Sequence, residues 1–311
     1  MSYPKVTIVG AGQVGATAAE LMLIHEMADI VLIDVAEGLP QGKALDLMHM
    51  RSVEEFRPSV VGTNDYADTA NSDVVVVTAG LPRKPGMTRD DLLAANRAIV
   101  ESVIPQVVEA SPDCVLLCVT NPLDVMTYLA WKVSGFNATR VLGMGGLLDS
   151  ARFAFAIAEK TRVSASDIEA LVMGAHGDAM VPMPRHTRVG EKSLANALPA
   201  EEVDALVQRT INGGAEVVGL LKTGSAFYAP AASVARMVYA IVNDTAEVLP
   251  ACVYLNGKYG IKDVYMSVPA SLGRKGVVGC ETIPLDDEEL DAIHASAATI
   301  AEALDSLGLR G

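Results

Sequence analysis

A histidine set among small residues, Gly174-Ala175-His176-Gly177-Asp178, is the stretch of this 311-residue chain best suited to moving a proton. It follows an apolar run, and its small neighbours leave the imidazole accessible. Of the other histidines, His25, His49 and His294 fall on segments with helical spacing, and His186 lies in a Pro/Arg-rich stretch. A lone histidine in a turn is compatible with a structural role as well as with general acid–base work near neutral pH. Upstream, Asp149 and Arg152 are three residues apart in a helical segment, so their side chains share one face. Taken alone they read as an internal ion pair. Residues 81–89 (LPRKPGMTR) hold Arg83, Lys84 and Arg89 and no acid. Two prolines and a glycine make this segment a loop, suited equally to gripping a small carboxylate and to being a solvated basic turn. Asn121, in Thr120-Asn121-Pro122, closes an apolar run, where it either meets a ligand or caps a turn.

A second kind of chemistry is written near the N-terminus. Gly10-Ala11-Gly12-Gln13-Val14-Gly15 fits G-x-G-x-x-G between a predicted strand and a predicted helix, the context that gives the pattern meaning. The glycines permit a tight turn, close approach of a pyrophosphate and close helix–strand packing. The helix start then offers its unpaired N–H groups to phosphate. Asp34 ends the next predicted strand, 19 residues beyond Gly15. A carboxylate there accepts hydrogen bonds from an adenosine ribose and repels a 2′-phosphate. No Arg or Lys follows before Lys43, so the pattern predicts NAD rather than NADP. The competing reading is a glycine turn beside a solvated aspartate.

These groups need a frame, and the hydrophobic pattern supplies one. Strands are predicted over 5–10, 29–34, 60–62, 73–79, 113–119 and 139–142, with helices over 16–27, 92–110 and 123–134. Strands apolar on both faces and alternating with helices predict an α/β fold with a parallel sheet covered on both sides. After about residue 143 the texture changes. Helices are predicted over 147–161, 200–221, 225–247 and 286–307. An apolar run spans 168–173, an extended stretch 181–189, and β-like segments 251–255, 264–269 and 276–279. The last helix starts with four acids, which suits a helix N-terminus, and carries Leu290, Ile293, Ala297, Ile300 and Leu304 on one stripe. The expectation is two domains, a doubly wound dinucleotide-binding domain over 1–143 and an α+β domain over 144–311.

Composition narrows the partners. The 24 basic and 38 acidic residues give a net charge of −14, and the pI is near 4.8. Phosphate backbones need a basic footprint, so no nucleic acid is expected, and an anionic membrane surface is disfavoured likewise. Mean hydropathy is +0.31, yet no uninterrupted apolar stretch approaches the ~18 residues a membrane span requires. Cys114, Cys118, Cys252 and Cys280 form no C-x-x-C pair and read as reduced thiols of a cytoplasmic protein. No metal-ligand cluster is visible.

In combination, GAGQVG, the strand end at Asp34, LPRKPGMTRDDL, VTNPLD, GGLLDSARF and GAHGD make the chain resemble the lactate/malate dehydrogenase family over essentially its whole length. The likeness is to the bacterial malate-acting branch that is lactate-dehydrogenase-like in sequence. It implies a Rossmann domain, NAD as cofactor, and reversible hydride transfer between (S)-malate and NAD+ giving oxaloacetate and NADH. His176 would be the general acid/base and Asp149 the holder of its other ring nitrogen. Arg152 would fork onto the substrate C1 carboxylate, and Arg89 would polarise the carbonyl as its loop closes. Asn121 would hydrogen-bond the substrate beside the nicotinamide. Arg83 stands where lactate-acting members carry glutamine, and would pair with the distal carboxylate of malate or oxaloacetate. The expected cofactor set is Gly10, Gly12, Gln13, Val14, Gly15, Asp34, Asn96, Val119 and Asn121. A homodimer or homotetramer is expected, with residues 147–161 and 225–247 as candidate contacts. A lactate or broader 2-hydroxyacid dehydrogenase is the nearest alternative, and a non-catalytic NAD-sensing module a remote one. The NAD-dependent glycosidases share this type of fold but are longer and use a metal.

Overall fold

The computed structural model describes residues 3–81 and 89–310, and of residues 89 and 90 the backbone alone. The first half runs β1 (Lys5–Val9), α1 (Gln13–Ile24), β2 (Asp29–Ile33), α2 (Leu39–His49), α3 (Arg51–Glu54), β3 (Val60–Thr63), β4 (Val74–Val77), α4 (Arg89–Ala110), β5 (Val115–Cys118), α5 (Leu123–Ser134) and β6 (Val141–Gly143). The second half runs α6 (Gly146–Thr161), β7 (Ile168–Glu169), β8 (Val172–Gly174), β9 (Met180–Pro182), β10 (Arg188–Val189), β11 (Lys192–Ser193), α7 (Leu194–Ala197), α8 (Ala200–Leu221), α9 (Tyr228–Val242), β12 (Glu247–Asn256), β13 (Lys262–Gly273), β14 (Gly276–Cys280) and α10 (Asp287–Ser306).

The chain divides into two compact units that exchange segments. One comprises Met1–Met144, Phe227–Glu247 and Ser271–Gly279; the other comprises Gly145–Ala226, Val248–Ala270 and Cys280–Gly311. The first break between the units falls between Met144 and Gly145. Residues 227–247 nonetheless join the first unit, because α9 packs against α1 and against β4. Ala231, Val234, Met237, Val238 and Ile241 are buried there.

In the first unit the strands lie in the order β3-β2-β1-β4-β5-β6, and every adjacent pair is parallel. Val74–Val77 are all buried, as are Val6, Ile8, Ile30, Leu32, Leu116 and Leu117. Such β-branched, two-sided burial is what a parallel sheet requires. Strand order reverses direction between β1 and β4, and ligands of open α/β sheets bind outside the carboxyl ends of the strands at such a point. The glycine-rich turn after β1 leaves the sheet there, and β4 ends there at Val77.

In the second unit, β12, β13, β8 and β9 are neighbours in that order, and β8 is antiparallel to both β13 and β9. A small antiparallel sheet, β11-β10-β7, stands beside it in sequence. The core gathers Phe153, Ile157, Val172, Met180, Val189, Leu194, Val203 and Leu206, and α6 packs on α8.

Two expected elements are corrected. The helix expected over 225–247 ends at Val242, and Glu247 instead opens β12. The break follows from Asp244 and Ala246, both at positive φ, a conformation no helix continues through. The extended stretch expected over 181–189 is interrupted by a 3-10 turn at Pro184–His186, since proline removes a ladder donor.

Candidate active site

The candidate cofactor site is built on β1, α1 and β2 of the first unit. Gly10 has φ +110°, and a Cβ there would lie 2.6 Å from Thr78 Oγ1. A Cβ on Gly15 would lie 2.0 Å from the Gly10 carbonyl oxygen, so the helix can approach the strand only with glycine at this position. A Cβ on Gly12 would meet nothing within 4 Å, leaving its face open to a ligand. No side chain caps the start of α1, and its first turn holds no acid. Open space and uncapped N–H groups are what a pyrophosphate needs, so these residues fit the dinucleotide. Gln13 is exposed, Val14 half-buried and Gly15 buried. The Asp34 carboxylate accepts from Ala11 N at 2.7 Å and from Ala36 N at 3.0 Å, which ties it to the glycine turn. Lys43, which sequence reading treated only as the first cation beyond Asp34, reaches the turn from α2, with Nζ 3.3 Å from Gly12 O.

Asn96 and Asn121 meet at the carboxyl end of the same sheet. Asn96 is 1% exposed. Its Oδ1 accepts from Leu81 N at 2.7 Å, and its Nδ2 donates to Leu81 O at 3.2 Å and Asn121 O at 2.6 Å. This buried amide therefore holds the start of the basic segment against the strand end that carries Asn121. Asn121 is exposed, and its peptide bond to Pro122 is cis. Val119 is half-buried and donates its N–H to Val77 O at 2.9 Å. Arg83 lies outside the described residues. Arg89 is described only as the first backbone position of α4.

The candidate acid–base residues lie in the second unit. Asp149, 1% exposed, stands in the first turn of α6. Its Oδ2 is 2.8 Å from His176 Nδ1, and its Oδ1 accepts from Arg152 Nη1 at 3.1 Å. Burying a carboxylate costs several kcal/mol unless it is paired. Here two side chains and the positive end of a helix act on it together. The side chains of His176 and Arg152 keep 14% and 20% of their surface. Serines that sequence reading passed over fix the geometry. Ser150 Oγ accepts from Val172 N at 2.9 Å, joining α6 to β8, and Ser267 Oγ accepts from Gly146 N at 3.0 Å. Gly213 and Gly214 of α8 give Arg152 its room: a Cβ at Gly213 would be 3.3 Å from Arg152 Cδ. None of these residues has a sequence motif, because each acts by a contact far away along the chain. Among the described residues, no three of His, Cys, Asp or Glu converge so as to hold a metal ion.

A glycine turn at the switch point of a parallel sheet, with a His–Asp–Arg cluster in a second unit, defines a dinucleotide-dependent oxidoreductase acting on an anionic substrate. The family comparison makes this specific. The lactate/malate dehydrogenase NAD binding domain matches residues 4–143, and the lactate/malate dehydrogenase alpha/beta C-terminal domain matches 147–307. The chain belongs to the lactate/malate dehydrogenase family. It is 52% identical over 304 residues to a malate dehydrogenase of Chlorobium phaeovibrioides, covering 97% of this chain and 98% of that one. It is 50% identical to one of Synechocystis sp., covering 97% and 93%. Among solved structures, Cryptosporidium parvum malate dehydrogenase superposes with a TM-score of 0.96 at 40% identity, covering 98% and 99%. A lactate dehydrogenase of the same organism, complexed with lactic acid and nicotinamide adenine dinucleotide, gives 0.94 at 39%, covering 98% and 99%. Backbone shape therefore does not separate the two activities.

Proposed function

We propose that the protein is an NAD-dependent malate dehydrogenase interconverting (S)-malate and oxaloacetate. The observation that carries this is the Asp149 carboxylate, shared between His176 Nδ1 and the Arg152 guanidinium. Bound NAD supplies the hydride acceptor. Held at Nδ1, His176 takes the malate hydroxyl proton at Nε2 and returns it in the reverse direction. Asp149 fixes the tautomer and stabilises the imidazolium. Arg152, oriented by the same carboxylate, forks onto the C1 carboxylate of the substrate. Asn121 would donate to the substrate, and the family resemblance assigns Arg89 to its carbonyl and Arg83 to its distal carboxylate, side chains outside the described residues. Asp34 would select NAD, and Lys43, whose Nζ lies 3.3 Å from Gly12 O, would add positive charge for its pyrophosphate. The substrate reading is supported by relatives of about half-identical sequence bearing the name malate dehydrogenase.

The test is a rate comparison with oxaloacetate or pyruvate and with NADH or NADPH. An unpaired cation in a closed site costs about 2–5 kcal/mol, so oxaloacetate should be reduced at least ~30-fold faster than pyruvate. A pyruvate rate equal to or above the oxaloacetate rate overturns the substrate reading, and equal use of NADPH overturns the role of Asp34.

Assembly and location belong to the same proposal. Phe155 on α6 and Val218, Leu220 and Leu221 at the end of α8 are exposed. Large apolar side chains exposed on these two helices support association into a homodimer or homotetramer, measurable by light scattering. Among the described residues no helix is long and apolar enough to cross a membrane. Free thiols at all four cysteines support a cytoplasmic setting.

A further inference from the structure

We propose that Ser296, on α10, is a positioning residue for His176. The inference rests on His176 being the acid/base. His176 sits in the five-residue turn Ala175–Ala179, between β8 and β9. The turn contains Gly177 at φ +113° and follows Gly174 at φ +88°. Glycines grant a turn conformational freedom, and something must then remove it. Within the segment, Met180 N donates to Gly177 O at 3.0 Å. The ends are held from outside. Ser296 Oγ accepts from Ala175 N at 2.8 Å and donates to Ala179 O at 2.6 Å. One hydroxyl thus bridges both ends of the turn that carries the imidazole.

The surroundings fit this role. Ser296 is 3% exposed and lies on the buried stripe of α10 with Ile293, Ala297 and Ile300. A hydroxyl among apolar groups is costly unless it is hydrogen-bonded, and this one is satisfied as both donor and acceptor. A Cβ at Gly174 would lie 2.7 Å from Ser296 Oγ, so that glycine leaves room for the hydroxyl. Helix α10 is itself anchored by a capping box between Asp286 and Glu289. The His176–Asp149 contact at 2.8 Å is sensitive to the drift such a clasp prevents. A misplacement of about 1 Å at a reacting group can cost roughly 100-fold in rate.

The experiment compares Ser296→Ala, Ser296→Cys and His176→Asn with the wild type. It measures kcat and KM for oxaloacetate, NADH binding by fluorescence, the pH–rate profile and the unfolding midpoint. Ser296→Ala should lose about ten-fold or more in kcat, with NADH affinity within about two-fold of wild type. The high-pH fall of oxaloacetate reduction should move to lower pH, because the imidazolium loses part of its hold on Asp149. Ser296→Cys, which keeps the size and a weak donor, should fall between the two. An unmoved pH profile overturns the proposal, whether kcat is unchanged or merely scaled down with a lowered unfolding midpoint. Should Ser296→Ala fail to fold, Ser296→Cys is judged by the same shift. Near-normal turnover in His176→Asn sinks the acid–base reading itself, a result distinct from an inactive His176→Asn beside an unmoved Ser296→Ala profile.

Discussion

Asp149 places one carboxylate oxygen on His176 and the other on Arg152 from a position almost sealed from solvent. Two jobs therefore depend on one side chain, and substitutions should separate them. His176→Asn keeps the glycine turn intact, so NADH binding should persist while kcat falls by about 10²–10⁴-fold; stopped-flow and fluorescence titration read the two. Asp149→Asn keeps the size but loses the charge both partners use, so kcat should fall and KM for oxaloacetate should rise together. A change in kcat alone would mean that Arg152 does not need the carboxylate. The cluster was legible in the sequence as residue types: the accessible His176, and Asp149 and Arg152 on one helix face. The sharing of one carboxylate was not, because a separation of 27 positions between Asp149 and His176 follows no spacing rule. Ser296 left a fainter trace, a polar residue at helical spacing on an apolar stripe. Nothing local to α10 says which turn its hydroxyl meets.

Helices set these residues, and their ends are where sequence reading was strongest and weakest. α5 begins after Pro122 and ends at Gly135 in the left-handed region, start and stop signals readable without a structure. α10 opens with Asp286 accepting from Glu289 N and the Glu289 side chain accepting from Asp286 N. Asp286→Ala should cost about 1 kcal/mol of stability, measured by urea unfolding. A hydrogen bond from Arg185, with smaller help from Asp286 N and His186, holds the Glu289 carboxyl below its ordinary value. A lowered carboxyl stabilises the fold above its unfolded value and stops doing so as pH falls through its folded one. The gap in unfolding midpoint between wild type and Glu289→Gln should thus be open at neutral pH and close below about pH 4. On α8, Gly213→Val would crowd Arg152 and should raise KM for oxaloacetate about ten-fold with a smaller change in kcat; an unchanged KM would remove Gly213 from the site. α9 was overrun in the sequence because its Ala/Val/Ile pattern continues to Val242 without a proline or glycine stop. The turn that ends it is set by backbone conformation at Asp244 and Ala246.

At the scale of the molecule, net charge and ligand charge oppose each other: a chain at −14 is proposed to bind anions. Salt screens the general field beyond about 8–10 Å, while uncapped N–H groups at α1 and the guanidinium of Arg152 act at contact distance. The four thiols report on the fold as a whole. Burial pushes Cys114 and Cys118 up to about 12, and Cys280, half-buried, is raised as well. Alkylation of the native protein near pH 8 should reach Cys280 first. Cys114, just before β5, and Cys118 at its end are buried and should react only through unfolding; early labelling of Cys118, read by mass spectrometry, would contradict the packed sheet. The sequence offered only a change of texture near residue 143 as a guide to domain organisation. The return of 227–247 to the first unit was not legible there, since the tertiary partner of a buried helix is not written in its own periodicity. That return sets a schedule for synthesis. A ribosome releasing the chain in order delivers all six parallel strands before the helix that covers α1, and the strand pair at 271–279 later still. The early half must wait, with apolar surface uncovered, for chain made after most of the second unit. A fragment ending at residue 144 should accordingly be prone to aggregate and unfold without cooperativity, although it holds the entire glycine turn.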